Sequence, residues 1–587
     1  MISNFINFLA KRWLILACAF TFILYIFSRF FVLGSHFTHY DDVFPAYLIK
    51  IITDYELEYF SSQINAYGSN IPQYYREYFL SFLADHPDIF SFIKRMIGGL
   101  SVSLVSTYAP IQFFFTALFV DFNHSYEASV LLWRLPSFIF SVLAIFAFIA
   151  FCNLFPYKNK IILLPIGLTF ICTSWMFLIY SSQGENYPAG IFSIFMLLYL
   201  FQRIQQSEIT IRKSISIGII LSILPLLHYQ LLFFLPGFYL GYIFLSKDNI
   251  FKRIIYIIPA GLISISSTLF IYFILMSHLH GHDPGVYWNA GPNNEYLWSF
   301  KNLSSLIESM KYIFTFFIVN SLQVLYGILG FRESFDALSQ IYAILIFIVC
   351  IIGLYEISRQ KTFRYLTIFI FSTIIVWLGL ILMSQITYSP TRHSLALIPL
   401  IIILFSFGVE YLFSIFINNS IVQVRAIIIF IATIQLGYIL SFSEIYQSRV
   451  DPFQNEVNVP ELIEKYSVNE IAAYGYTNNL NFYPEINSNF HTVWVNQHPF
   501  SHIFLKKDIA ETPISKKSFM IICSNSNLCG VPANEILATN EILLKTNTLD
   551  SNYELIFEHS SDSNITNGFS NFAGSGKRRI FVKIFSY

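Results

Sequence analysis

Long apolar stretches separated by short polar turns recur from Trp13 to Ser443, and beyond Glu444 the pattern changes to short alternating runs. About 20 consecutive apolar residues are what an α-helix needs to cross a bilayer. The first stretch, Trp13–Leu33, is too long for a signal-peptide core and no small-residue cleavage site follows it, so it reads as a retained span. In the tail, residues 518–522 and 579–584 predict strands, and residues 460–466 predict a helix. The pattern therefore predicts a polytopic α-helical membrane protein. Its transmembrane domain covers residues 1–443, and a C-terminal α/β domain over 444–587 is long enough to bury its own core.

Basic residues set the expected orientation. Lys11 and Arg12 precede the first span; Lys158 and Lys160, then Arg203, Arg212 and Lys213, then Lys247, Lys252 and Arg253, then Arg359, Lys361 and Arg364, and finally Arg425 occupy alternate loops. Cytoplasmic loops carry the excess of Lys and Arg. This places the N-terminus inside, the C-terminus outside, and about eleven spans between them. Two further apolar stretches, Tyr108–Val120 and Tyr312–Leu329, would turn every later basic loop outward if either crossed alone. They are expected to lie at the outer interface, making up to 13 helices; a re-entrant pair is the alternative. The outer segments are the first loop, 35–131, too long and aromatic for a mere connector, a loop from His278 to about Lys311, and the tail.

Composition narrows the partners. Of 587 residues, 55% are hydrophobic and only 12% charged, against roughly 25% charged in a soluble domain. A formal net charge of zero argues against nucleic acid. Cys18, Cys152, Cys172 and Cys350 lie in apolar runs and read as packing residues. Cys523 and Cys529 share the polar tail, where they either close a small disulfide loop or stay as two thiols.

The chemistry starts at Asp41 and Asp42, just beyond the first span. A carboxylate near a membrane surface can take a proton from an acceptor as that group attacks an electrophile. Its neighbour can tune it, hold a metal or orient the acceptor. The plainer alternative is a helix N-terminal cap. Arg134 and Arg392 fall at outer span ends, suited to holding a lipid phosphate with a planar fork of donors or else snorkelling to the headgroups. Glu185 lies in a tight outer turn, as a site residue or an exposed loop charge. His228 sits where two spans meet, as a ligand or a packing residue. His278, His280 and His282 alternate along one segment and could share a divalent metal such as zinc or manganese; otherwise they form a polar, Gly- and Pro-broken exit from a span, or contact donor or acceptor.

These residues lie within a larger pattern. The acidic pair after the first span is followed by Ser106-Thr107-Tyr108-Ala109-Pro110-Ile111-Gln112-Phe113-Phe114, then by Trp133-Arg134-Leu135-Pro136-Ser137. Tyr180–Tyr187, Leu227-His228-Tyr229 and Ser389-Pro390-Thr391-Arg392-His393 come later. In order and spacing, from Trp13 to Ser443, this resembles the C-type integral membrane glycosyltransferases, in particular the protein O-mannosyltransferase and bacterial aminoarabinose transferase family. Each motif is short, and two depart from the family pattern: Asp-Asp stands for Asp-Glu, and Tyr-Ala-Pro for His-Pro-Pro. The resemblance implies inverting transfer of a sugar from a polyprenyl-phosphate donor to a glycan, lipid or protein acceptor on the outer face, in a bacterial inner membrane. Asp41 would be the base, and no covalent intermediate would form. A transporter or flippase of a lipid-linked sugar, and a surface-polysaccharide polymerase or ligase, are the competing readings. A transporter should show repeated halves, broken helices and ionisable groups near mid-bilayer.

Overall fold

The computed structural model describes residues 2–33, 72–105, 108–120, 126–205, 210–245, 249–275, 315–330, 337–360, 363–383, 392–417 and 420–447. It also describes the strand residues 470–475, 519–524, 554–563 and 578–586, with a few isolated positions between. Sixteen helices are named here: α1 (Ile2–Leu33), α2 (Gln73–Asp85), α3 (Pro87–Val105), α4 (Pro110–Phe119), α5 (Tyr126–Cys152), α6 (Tyr157–Thr173), α7 (Trp175–Ser181), α8 (Tyr187–Gln205), α9 (Ile211–Ile223), α10 (Leu235–Leu245), α11 (Ile250–Phe270), α12 (Asn320–Leu329), α13 (Ala337–Arg359), α14 (Arg364–Leu382), α15 (Ile398–Phe416) and α16 (Ser420–Gln447). By contacts the chain forms two compact units. One holds α1 and the helices from Ser137 to Ser448; the other holds the helices between Gly34 and Pro136 and the four strands.

Among the described residues, eight helices are long and apolar enough to cross a membrane, or nine if a bent pair counts as one. The chain is a polytopic helical membrane protein. Three of the expected spans are not single long helices. The stretch around 161–180 divides into α6 and α7, bent by 60°. Residues 214–246 divide into α9, a 3-10 turn at Leu224–Leu226, a second at Tyr229–Phe234, and α10. Ser174 explains the first break: its hydroxyl accepts the Phe177 N–H at 3.2 Å and caps α7, as Ser does at a helix start. At the second, Pro225 offers no N–H to continue the ladder.

The helices are turned inside out relative to a soluble bundle. On α11, Ile254, Ile255, Ile258, Leu262, Ile265 and Leu269 are exposed, while Ala260 and Ser264 are buried. Small and hydroxylated residues let membrane helices approach closely. A Cβ at Gly218 of α9 would stand 2.8 Å from the Ala260 Cα, and hydroxyls lace this seam. Ser222 Oγ donates to the Ile263 carbonyl at 3.1 Å, Ser267 Oγ donates to the Ser222 carbonyl at 2.9 Å, and Ser214 Oγ accepts the Ala260 N–H at 3.2 Å. The α13–α15 crossing is closer still: a Cβ at Gly353 would fall 1.8 Å from the Leu404 carbonyl oxygen, and one at Gly408 2.0 Å from that of Val349.

The two stretches expected at the interface differ from each other. Over Tyr108–Val120, α4 buries Pro110, Gln112, Phe113, Thr116 and Ala117 and exposes Phe115 and Phe119, an amphipathic helix. Over Tyr312–Leu329, a π turn at Thr315–Val319 leads into α12, whose residues Val324–Leu329 are all buried. The second segment is a packed element of the bundle over its C-terminal half.

In the other unit the strands β1 (Glu470–Gly475), β2 (Phe519–Ser524), β3 (Glu554–Ser563) and β4 (Arg578–Ser586) form one sheet in the order β1-β2-β4-β3. β1 and β2 run parallel; β4 is antiparallel to both β2 and β3. The strands expected from the two alternating runs coincide with β2 and β4. Most of the expected 460–466 helix lies outside the described residues. Cys523 sits in β2, paired with Phe581. Cys529 lies outside the described residues, and with it the disulfide. Cys152, Cys172 and Cys350 are buried free thiols, and Cys18 is a half-buried one.

Candidate functional site

Three polar segments of the bundle converge at one end of α7 and α8. The first is the turn between these helices. Its composition, Ser-Ser-Gln-Gly-Glu-Asn, is that of an exposed connector, yet it is buried throughout. Ser181, Ser182 and Glu185 are 0% exposed, Gln183 1% and Asn186 2%. The reading of Glu185 as an exposed loop charge is therefore corrected. Neighbouring helices enclose the turn and hold its backbone: Ser137 Oγ on α5 donates to the Glu185 carbonyl at 2.7 Å.

The second segment is the break at His228. Asn186 Nδ2 donates to the Leu227 carbonyl at 3.4 Å, tying the two turns together. His228 Nδ1 accepts the Gln230 N–H at 3.3 Å and so caps the following 3-10 turn. That bond makes Nδ1 the acceptor and leaves the proton on Nε2. Burial in the turn pushes the His228 pKa down to about 3 from 6.5, so the ring is neutral at physiological pH. The ring lies 5.1 Å from that of Tyr187, which in turn meets Tyr180 edge-on at 5.6 Å. Gly190, one helical turn into α8, permits this approach: a Cβ there would stand 2.8 Å from His228 Cγ.

The third segment is α1, through Arg29. Its guanidinium is fully buried and donates to the Ser181 hydroxyl at 3.3 Å. Sequence patterning passed over Arg29, Gln183 and Asn186. The available signal for Arg29 was a lone cation inside an apolar run, which has a functional reading by default. For the other two, polarity alone cannot distinguish a buried turn from an exposed one.

Arg134 belongs to the other unit's portion of α5 and is 2% exposed. Snorkelling to the headgroups is thereby excluded for it, since a snorkelling guanidinium stays solvated. Trp133 beside it is 1% exposed and packs on Phe113 at 6.2 Å. Arg392 opens a 3-10 turn, Arg392–Leu397, leading into α15; its side chain lies outside the described residues, as do Asp41, Asp42, His278, His280 and His282. Among the described residues no three His, Cys, Asp or Glu side chains gather as a metal site would require.

Of the expected site residues, the structure thus brings together Glu185 and His228, through Asn186 and Tyr187. The arrangement offers a buried carboxylate, a neutral imidazole with its Nε2 proton, amide groups and two phenol rings. Such a set suits orienting hydroxyl-rich groups, and a neutral histidine can also donate a hydrogen bond to a developing negative charge. No protein-family model matches the chain, and no curated protein matches it by sequence.

Proposed function

We propose that this protein is an integral membrane glycosyltransferase that moves a sugar from a polyprenyl-phosphate donor to an acceptor on the outer face of the membrane. The observation that supports it best is the buried turn Ser181–Asn186, latched to His228 within an apolar bundle. Burying a carboxylate and several amides adds nothing that hydrophobic packing would not supply better, and ionisable groups inside a membrane bundle are functional by default. In this reading Asp41 is the general base, Asp42 tunes or orients it, and Arg134 and Arg392 hold the leaving phosphate. Glu185 and His228 orient donor or acceptor. The orientation follows the basic loops: N-terminus in the cytoplasm, C-terminal α/β domain outside, about eleven crossings when the broken stretches count as spans. In this reading the protein works in a bacterial inner membrane.

The test uses purified protein in proteoliposomes with a polyprenyl-phosphate sugar and mass detection of products. Asp41→Asn keeps size and hydrogen bonding but cannot take a proton at neutral pH, so transfer should fall at least about 100-fold with insertion intact, the usual contribution of a general base. Asp42→Asn should be milder. Near-normal turnover in Asp41→Asn would make Asp41 a cap, and equal losses in both would point to a shared metal or mutual dependence. Comparing surface glycans of cells with and without the protein identifies the sugar and the acceptor.

A flippase of a lipid-linked sugar is the second reading, favoured by the 60° break between α6 and α7 beside the buried Arg29. Broken helices and buried charges characterise transport pathways. Translocation of a fluorescent lipid-linked sugar without product formation would decide for it.

A further inference from the structure

Arg29 stands near the C-terminal end of α1, 0% exposed. Its Nη1 donates to the Cys172 carbonyl at 2.7 Å, to Ser28 Oγ at 3.2 Å and to the Tyr438 hydroxyl at 3.3 Å, and its Nε donates to Ser181 Oγ at 3.3 Å. The guanidinium carbon lies 4.0 Å from the Tyr25 ring centroid and 5.7 Å from that of Phe177. Nη2 has no hydrogen-bond partner among the described residues. Every one of these partners is neutral. A charged side chain enclosed within a membrane bundle is costly and rare, so a span retains one where it does something apolar residues cannot.

Its contacts identify the task. Cys172 lies in the last turn of α6 and Ser181 is the last residue of α7, on opposite sides of the break at Ser174. A bend of 60° interrupts the regular i to i+4 ladder, and the carbonyls ending α6 need donors from elsewhere. Arg29 supplies one to Cys172 while gripping Ser181, and the faces of Tyr25 and Phe177 hold the cation itself. A planar guanidinium holds its donors in a rigid, spaced fork that reaches both sides of the break, whereas a lysine ammonium donates from one compact, rotatable point. Because the guanidinium is wholly enclosed, it has no surface to offer an anionic headgroup.

We propose that Arg29 is a positioning residue, clamping the two halves of the broken helix and so fixing where the turn Ser182–Asn186 presents Glu185 and Asn186. As a role in sugar transfer this rests on the reading of that turn as part of the transfer site; as a statement about the clamp it stands apart.

The test is hydrogen–deuterium exchange by mass spectrometry on the full chain in lipid nanodiscs, comparing wild type with Arg29→Gln, Arg29→Lys and Ser181→Ala. Losing a charge-assisted hydrogen bond should lower protection across residues 174–186 by roughly 10- to 100-fold in Arg29→Gln. Arg29→Lys and Ser181→Ala should show smaller losses, and α11, which is not packed on α1, should stay unchanged. Should Arg29→Gln fail to fold, the other two variants carry the measurement. Unchanged protection at 174–186, or an equal loss in α11, overturns the proposal. In the transfer assay Arg29→Lys should lower kcat with the donor-lipid KM unmoved; a raised KM at unchanged kcat would mean that the guanidinium binds donor, and would overturn it too. If wild type transfers no sugar at all, the functional reading falls while the exchange result still judges the clamp.

Discussion

Substituting Gly353 by alanine should separate two helices that now touch backbone to backbone. The added Cβ would sit 1.8 Å from the Leu404 carbonyl oxygen, 2.8 Å from its carbon and 2.9 Å from the Gly408 nitrogen. Comfortable carbon–oxygen contacts run at roughly 3.3–3.6 Å, so α13 and α15 must part by about 1.5 Å. No rotamer change relieves a clash with main chain. Overpacking of a filled interior costs roughly 1–3 kcal/mol, and the gain of about 1 kcal/mol in helix propensity for Ala over Gly offsets only part of it. Gly408→Ala meets the Val349 carbonyl at 2.0 Å and should behave alike. Gly379 on α14 is the internal control, because a Cβ there meets nothing within 4 Å; its alanine variant should be neutral or slightly stabilising. Thermal melting of the three variants in one detergent, followed by size-exclusion chromatography, reads the difference. If Gly353→Ala melts with Gly379→Ala, the α13–α15 crossing is not as close as described and the argument fails.

Gly190→Ala should push the His228 ring off its seat, since the new Cβ would lie 2.8 Å from Cγ and 3.0 Å from the His228 Cβ. A fall in transfer larger than the fall in melting temperature would locate the damage in the site. His228 also sets a pH dependence. Its folded pKa, about 3, lies below the ordinary 6.5, so the unfolded chain binds the proton first and stability is lost as pH falls from 6.5 towards 3. Wild type should therefore lose about 2 kcal/mol more than His228→Gln between pH 7 and pH 5; parallel pH profiles for the two proteins would rule this out. Removing the residues after Ser448 should depress activity on the native acceptor while sparing slow hydrolysis of the donor lipid, as expected if the sheet-bearing tail serves recognition. Complete loss of hydrolysis in a well-inserted truncation would place part of the reaction machinery there.

Apolar periodicity revealed the spans wherever the helix is uninterrupted, as in α1, α8, α13, α14, α15 and α16. It gave no sign of the breaks where a hydroxyl or a proline interrupts the backbone without interrupting the apolar run. Around Ser174 and Pro225 the composition still reads as membrane, but the ladder stops, and hydropathy carries no term for that. Glu185 shows the opposite failure. Its turn looks solvated by composition, and only the helices folded around it, through Ser137 and the Leu227 carbonyl, make it interior. Arg29 was hidden by averaging, one cation among many apolar neighbours. The alternating tail strands were legible because a period of two needs only a few residues to declare itself.

The serine seam between α9 and α11 has a consequence for how the chain is made. At 13 residues α9 reaches only about 20 Å, well short of the roughly 30 Å hydrocarbon layer. Its Ser222 hydroxyl reaches the Ile263 carbonyl, its Ser222 carbonyl accepts from Ser267, and its Ser214 hydroxyl receives the Ala260 N–H, all from a helix synthesised some forty residues later. On leaving the translocation channel alone, α9 is too short and too polar to settle in lipid. At about 5–20 residues per second it waits several seconds for its partner. The two are therefore expected to enter the bilayer as a pair, and a stop placed before Ala260 would strand α9 at the channel rather than yield a shorter, stable bundle.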